Sequence, residues 1–249
     1  MAMSPFQTFA NREVADLTFC DFTTGKPILF MNYANVTSTS LTGETVHATG
    51  GMGAPKRVSF GGNREGTLTI ETQINCAQLY AIVTGGELTT SAEFLKRFVV
   101  KAENGALKMP EQNGELMSVG LTVYPANDDC GVEIKGATMA DGSVTATGLV
   151  DGDEYIVYCM VKHNGDVQKL SIGGRVKSKA YKIFGLTNVK DEDDIVHDVR
   201  MIVYKATPQS NVEWGYSNTG DPASMTLTFD MAADKNDNFI DMIYMDEAE

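Results

Sequence analysis

Apolar residues recur at every second position over much of this chain. That spacing sets one face of a pleated strand against a core and leaves the other in water. Two stretches show it most cleanly. In Thr67–Glu71 the side chains of Leu68 and Ile70 share a face, and from Ser224 to Met231 the residues Met225, Leu227, Phe229 and Met231 alternate with Ser224, Thr226, Thr228 and Asp230. The same reading predicts strands over 14–20, 28–34, 36–48, 94–101, 116–124, 131–135, 154–162, 167–172, 175–184, 196–204 and 239–245, several bounded by Gly, Asn or Asp. One stretch departs from period two. Ile74, Ala77, Ala81 and Ile82 are spaced for a helical face, with Asn75 and Gln78 near the start and Gly85-Gly86 to stop it. A short helix over 74–84 among so many strands is expected to lie over an open end or face of a sheet.

The middle of the chain is punctuated differently. Asn127-Asp128-Asp129, Ala140-Asp141-Gly142, Asp151-Gly152-Asp153 and Asn164-Gly165-Asp166 separate short strands. Asn164-Gly165, between 154–162 and 167–172, predicts a tight hairpin. The expected organisation is an outer β domain of residues 1–102 and 175–249, interrupted by an inserted Ig-like β-sandwich subdomain over 103–174.

Composition narrows the function. A chain of 249 residues with 43% hydrophobic and 21% charged residues has material for one large β domain or two smaller ones. A formal charge of −13 argues against gripping nucleic acid, which takes clustered Lys and Arg. It is compatible with a conduit that repels phosphate, and equally with a surface tuned for solubility. The opening MAMSPFQTF has neither a basic nor an apolar leader segment, and no stretch reaches the roughly 18 apolar residues of a membrane helix, so cytoplasmic synthesis is expected. Cys20, Cys76, Cys130 and Cys159 form no CxxC pair and are expected to be buried free thiols.

Each candidate for chemistry fails on a specific residue. Gly61-Gly62-Asn63-Arg64-Glu65-Gly66-Thr67 imitates a phosphate loop but places Thr67 where Lys is required, so it reads as a loop or hairpin turn. Gly50-Gly51-Met52-Gly53 reads as a flexible loop. His47, His163 and His197 belong to no metal-binding pair. Asp234–Asn238 begins like a calcium loop, yet Phe239 stands where Gly is needed and Met245 where Glu should chelate; it reads as a polar hairpin turn joining strands 224–231 and 239–245. Asp191-Glu192-Asp193-Asp194 reads as a solvated loop tip. Trp214 is the sole tryptophan, which disfavours a carbohydrate-binding module. No nucleophile, base and oxyanion site assembles, so the expectation is a protein that is not an enzyme and takes no cofactor or metal.

The segments in order resemble the major tail tube protein of long-tailed bacteriophages, the contractile-tailed group in particular. The resemblance rests on Gly66–Thr72, the helix ending in Thr84-Gly85-Gly86, Met201–Pro208, Met225–Met231 and the closing Ile240–Met245, over roughly 10–102 and 175–246. It implies two packed antiparallel β-sheets forming a sandwich or barrel, with one short helix and an Ig-like insertion. It further implies hexameric rings stacked into a hollow tube through which genome DNA is ejected without specific binding. Expected partners are the chain itself, the tail sheath, the tape measure and baseplate or terminator proteins, with no membrane, in the virion tail. A capsid decoration protein, a tube adaptor or a host-surface-binding module is the alternative. In that family long hairpins or loops reach the adjacent ring, and the 37–66 segment is the candidate here, with Gly50, Gly51, Met52, Gly53, Lys56, Arg57, Gly61, Gly62 and Arg64 as contact residues.

Overall fold

The computed structural model describes residues 8–175, 177–209, 211–213, 215, 220 and 222–245; the chain start and Trp214 lie outside them. The chain runs through β1 (Phe9–Ala10), β2 (Asp16–Asp21), β3 (Pro27–Met31), β4 (Val36–Thr49), β5 (Lys56–Thr72) and the helix α1 (Ala77–Thr84). It continues with β6 (Glu87–Glu103), β7 (Ala106–Lys108), β8 (Glu115–Pro125), β9 (Thr138–Ala140), β10 (Ser143–Thr145) and β11 (Glu154–Ser171). The last strands are β12 (Tyr181–Asp191), β13 (Val196–Pro208), β14 (Met225–Met231) and β15 (Ile240–Tyr244). The protein is therefore mainly β, antiparallel, with one short helix among the described residues. Two compact units divide it, one of residues 1–86 and 172–249 and the other of residues 87–171.

The first unit is a nine-stranded antiparallel sheet in the order β3-β2-β12-β13-β14-β5-β4, with β1 on β12 and β15 on β13. The alternation read from the sequence decides which face is buried. Leu68, Ile70, Leu227 and Phe229 are wholly buried, while Thr226 and Asp230 between them are exposed. Cross-strand pairing of Leu227 with Ile70 and of Phe229 with Leu68 stacks these side chains in rows, joined by Leu17, Phe19, Ile183 and Val203. The Phe19 and Phe229 rings meet at 5.7 Å.

Helix α1 covers this core with Leu79, Ile82 and Val83, and the Tyr181 hydroxyl donates to Ile82 O at 3.3 Å. The helix begins three residues later than its apolar spacing suggested, because Cys76 in extended backbone caps it and its Sγ accepts from Leu79 N at 3.4 Å. Gly85, at φ +68°, ends it in the left-handed conformation that glycine tolerates. At the other end of the sequence, β14 and β15 are not a hairpin. Both pair with β13, β14 at residues 206–208 and β15 at residues 199–203, so the Asp234–Asn238 turn steers the chain past β13 rather than folding one strand onto the other. Asp234 Oδ1 shapes that turn by accepting from Asn236 N and Asn238 N at 2.8 and 2.9 Å.

The second unit is a six-stranded sheet in the order β8-β11-β6-β7-β10-β9 around its own core of Phe98, Val100, Leu107, Val123, Val144, Tyr155 and Val157. Its backbone is β6 against β11, paired from Lys101 with Glu154 to Glu87 with Ser171. All of β6 therefore belongs to this compact unit, and residues 102/103 lie inside that strand, just before its end. Asn164-Gly165 makes no hairpin turn. Residues 154–171 form one strand with a register shift between Asn164 and Lys169, and Gly165 uses its φ of +94° in that irregularity. The ladder offered by Glu87–Thr89 outweighs the local turn preference. The predicted strand at 131–135 is also replaced, by a looped segment in which Asp128 accepts from Val132 N at 3.0 Å through Oδ2 and from Gly131 N at 3.1 Å through its carbonyl. Asp129 holds that loop to the sheet, accepting from Arg97 Nε at 2.9 Å and the Tyr158 hydroxyl at 3.0 Å.

Candidate assembly surface

All nine contact candidates fall on one structure, the β4–β5 hairpin of the first unit. β4 and β5 pair from Val36 with Glu71 to Thr49 with Lys56. β14 supports only the segment from Gly66 to Thr72. Beyond Gly66 the two strands form a ribbon with no third strand beside them among the described residues. Lys56 to Glu65 are exposed without exception, whereas Gly66 to Thr72 alternate between buried and half-buried.

Glycines shape this ribbon at identifiable places. The tip Gly50–Pro55 closes through Gly50 N to Pro55 O at 3.3 Å and Ala54 N to Gly51 O at 3.0 Å, with Gly51 and Gly53 at φ +91° and +83°. Arg57 Nε donates to Gly50 O at 3.2 Å and steadies the tip. At Gly62 a Cβ would lie 3.0 Å from Glu44 Cβ, beside the register shift between Gly43 and Thr45, so the close approach is reserved for glycine. Gly61 is open, with nothing within 4 Å of a built Cβ. Lys56 begins β5 opposite Thr49, and Arg64 lies opposite Gly43. The run Gly61–Thr67 is thus strand, not loop, because the register with Gly43–Thr45 and Ser40–Thr42 fixes it.

Sequence reasoning found the cations and Met52 of the ribbon but passed over its apolar row. Val46 pairs with Phe60 and Ala48 with Val58, which puts an apolar row on one face; Val46, Val58 and Phe60 are 61%, 51% and 57% exposed, and Met52 at the tip is fully exposed. The signal was present as alternation in Val58-Ser59-Phe60, hidden by the glycines on either side. On the opposite face His47 Nδ1 lies 2.9 Å from Ser59 Oγ. Between Thr45 and Arg64 stand Lys56, Arg57 and Arg64 and no carboxylate, in a chain whose net charge is −13.

The remaining polar candidates are separate. His163 Nδ1 lies 3.2 Å from Asp166 and stacks on Phe94 at 5.2 Å between ring centroids, while His197 Nε2 meets Asp191 Oδ2 at 2.8 Å. The His197 contact, with backbone N–H groups from Ile195 and Asp193, holds the Asp191 carboxyl below its ordinary range. Asp191 is accordingly a built-in turn former and not a solvated carboxylate. The four cysteines are free, but only Cys20 and Cys159 are buried, their thiols pushed up by burial; Cys130 is exposed and Cys76 partly so. Among the described residues no group of three or more His, Cys, Asp or Glu gathers for a metal, and no helix is long and apolar enough to cross a membrane.

A family model described as the YomU/Tube protein family matches residues 11–245, a span that takes in both units. No curated protein matches the chain.

Proposed function

Because the chain belongs to the YomU/Tube protein family, we propose that it is the structural subunit of a phage tail tube, polymerising as stacked hexameric rings into the conduit for genome DNA. The observation that carries this reading is the β4–β5 ribbon, two strands wide, with no third strand beyond Gly66 among the described residues and apolar along one face. A two-stranded ribbon alone in water is marginally stable, and an exposed edge strand invites pairing. Such a feature fits a subunit whose ribbon is finished by a neighbour, here the adjacent ring. Gly50, Gly51, Met52, Gly53, Lys56, Arg57, Gly61, Gly62 and Arg64 are the proposed contact residues. The role is mechanical, without catalysis, and the site of action is the virion tail.

The resemblance to contractile-tailed phages supports a sheath outside the tube, with a tape measure protein within and baseplate or terminator proteins at its ends. The turn-rich 87–171 unit is read as an Ig-like insertion on the tube domain. DNA passes the acidic chain without specific binding.

Electron microscopy of the purified chain at high concentration tests the reading. Hollow tubes built of hexameric rings are expected; monomers or discrete trimers alone would overturn it and favour a decoration or adaptor protein. Deleting Gly50–Gly62 should leave folded monomers that do not polymerise, and tubes from that variant would remove the ribbon from the contact.

A further inference from the structure

At the other side of the same sheet lies a groove of about 650 Å³. Its origin is a gap in strand pairing. β2 accompanies β12 as far as Leu186, and β1 rejoins it only at Lys190, so residues 187–189 of β12 have no strand partner on that side among the described residues. The link between β1 and β2 is held there by side-chain contacts instead of a ladder, Asn11 Nδ2 donating to Thr187 Oγ1 at 3.5 Å and Thr187 Oγ1 to Glu13 O at 3.3 Å. Val14, Leu186 and Val196 line the groove and are 36%, 39% and 43% exposed, so they give it an apolar floor in contact with water. Glu13 and Asp16 stand on its rim, and the pair Lys190 and Val196 that closes one end leads directly into the turn Asp191-Glu192-Asp193-Asp194. The cations on the rim are Arg12 and Lys190, and Lys190 already pairs with Asp194 at 2.7 Å.

We propose that this groove is the receptor for the β4–β5 ribbon of a second copy of the chain, with Met52 and the Val46–Phe60 row seated on Val14, Leu186 and Val196 while Lys56 and Arg57 face Glu192 and Asp193. The argument is complementarity of two kinds. The ribbon segment from Thr45 to Arg64 carries three cations and no carboxylate, and along the groove together with the turn that adjoins it Glu13, Asp16 and Asp191-Glu192-Asp193-Asp194 outnumber Arg12 and Lys190. That acidic excess, supplied mainly by the adjoining turn, disfavours phosphate and anionic lipid and favours a cationic, apolar-faced segment as the occupant. Methionine suits the tip because its flexible thioether adapts to an irregular pocket. The ribbon and the groove are different surfaces at different parts of the strand order, β4–β5 at one end and β2–β12 towards the other. A contact between them is therefore heterologous and propagates from copy to copy, closing a ring or extending a stack.

This inference rests on the self-assembly proposed above, and charge reversal separates the two. Lys56→Glu with Arg57→Glu reverses the ribbon; Glu192→Lys with Asp193→Lys reverses the turn and spares Asp191 and Asp194, which hold the local structure. Each double variant should fold, by circular dichroism and melting temperature, yet lose assembly by roughly tenfold or more in sedimentation, since like charges now meet. The chain carrying all four substitutions should assemble again. An unaltered chain that never assembles overturns both proposals. If the unaltered chain assembles and the Glu192→Lys/Asp193→Lys variant does so equally well, or if the four-substitution chain stays dispersed, the groove is not the receptor, although self-assembly stands.

Discussion

Strand β5 has two halves that behave as different materials. From Gly66 to Thr72 it lies between β4 and β14, and Leu68 and Ile70 are wholly buried. From Lys56 to Glu65 it has β4 on one side and nothing on the other among the described residues, and Val58 and Phe60 are more than half exposed. Both halves have strand-forming residues and alternation. What separates them is support: the inner half is held by a core, and the outer half is held only by its ladder to β4. Apolar side chains left half in water along such a ribbon contribute little to the isolated subunit, and their burial in an assembly is where most of their stabilisation would appear.

The sharpest way to break this contrast is truncation in each half. Leu68→Ala should cost about 2–5 kcal/mol in chemical denaturation, because it removes a wholly buried side chain and leaves a cavity in the core. Val58→Ala should stay within about 0.5 kcal/mol, as surface changes do. A large loss from Val58→Ala would mean the ribbon folds back on its own subunit. Phe60→Ala gives the complementary reading: monomer stability nearly unchanged by thermal melting, with assembly weakened in sedimentation.

A smaller effect tests where the boundary lies. A Cβ at Gly66 would sit 2.7 Å from Met231 Cε and 3.2 Å from Met231 Cβ, in a side chain that is itself buried, so Gly66→Ala should cost about 1 kcal/mol by overpacking. Gly61→Ala, with open space around it, should fall within about 0.5 kcal/mol of zero. Equal costs at both positions would erase the distinction between the halves.

The smallest effect lies at the opposite turn. The Asp191 carboxyl is held below its ordinary value near 3.8, so its contribution to stability is present above that pH and fades as pH falls through the lower folded value. Thermal melting from pH 6 downward should show an acid loss that Asp191→Asn flattens. An unchanged acid limb in the variant would show that other carboxylates carry the acid sensitivity.

Much of the first unit was legible in the residues. The alternation in Thr67–Glu71 and Ser224–Met231 placed both strands and their buried faces, and Gly85 ended the helix where a left-handed residue was needed. The errors arose where a local preference met a distant ladder. Asn164-Gly165 favours a turn in isolation, yet β6 runs beside it and keeps it in a strand. Gly61-Gly62 suggested a loop, yet Thr45 and Glu44 lie opposite and draw it into β5. The three histidines and four cysteines gave no sign of which neighbours they would meet, because those partners are set by sheet register.

The sequence by itself determined the class of this protein: mainly β, acidic, with apolar faces at period two and a cation-bearing stretch between Thr45 and Arg64. Those are local properties, fixed by the order of side chains along a chain whose pleat alternates them. Only the tertiary structure decided which of those faces would be covered. Leu68 and Phe60 are both apolar residues on one strand, and the difference between core and exposed ribbon comes from where β14 stops pairing, at Gly66, which no residue on β5 encodes alone.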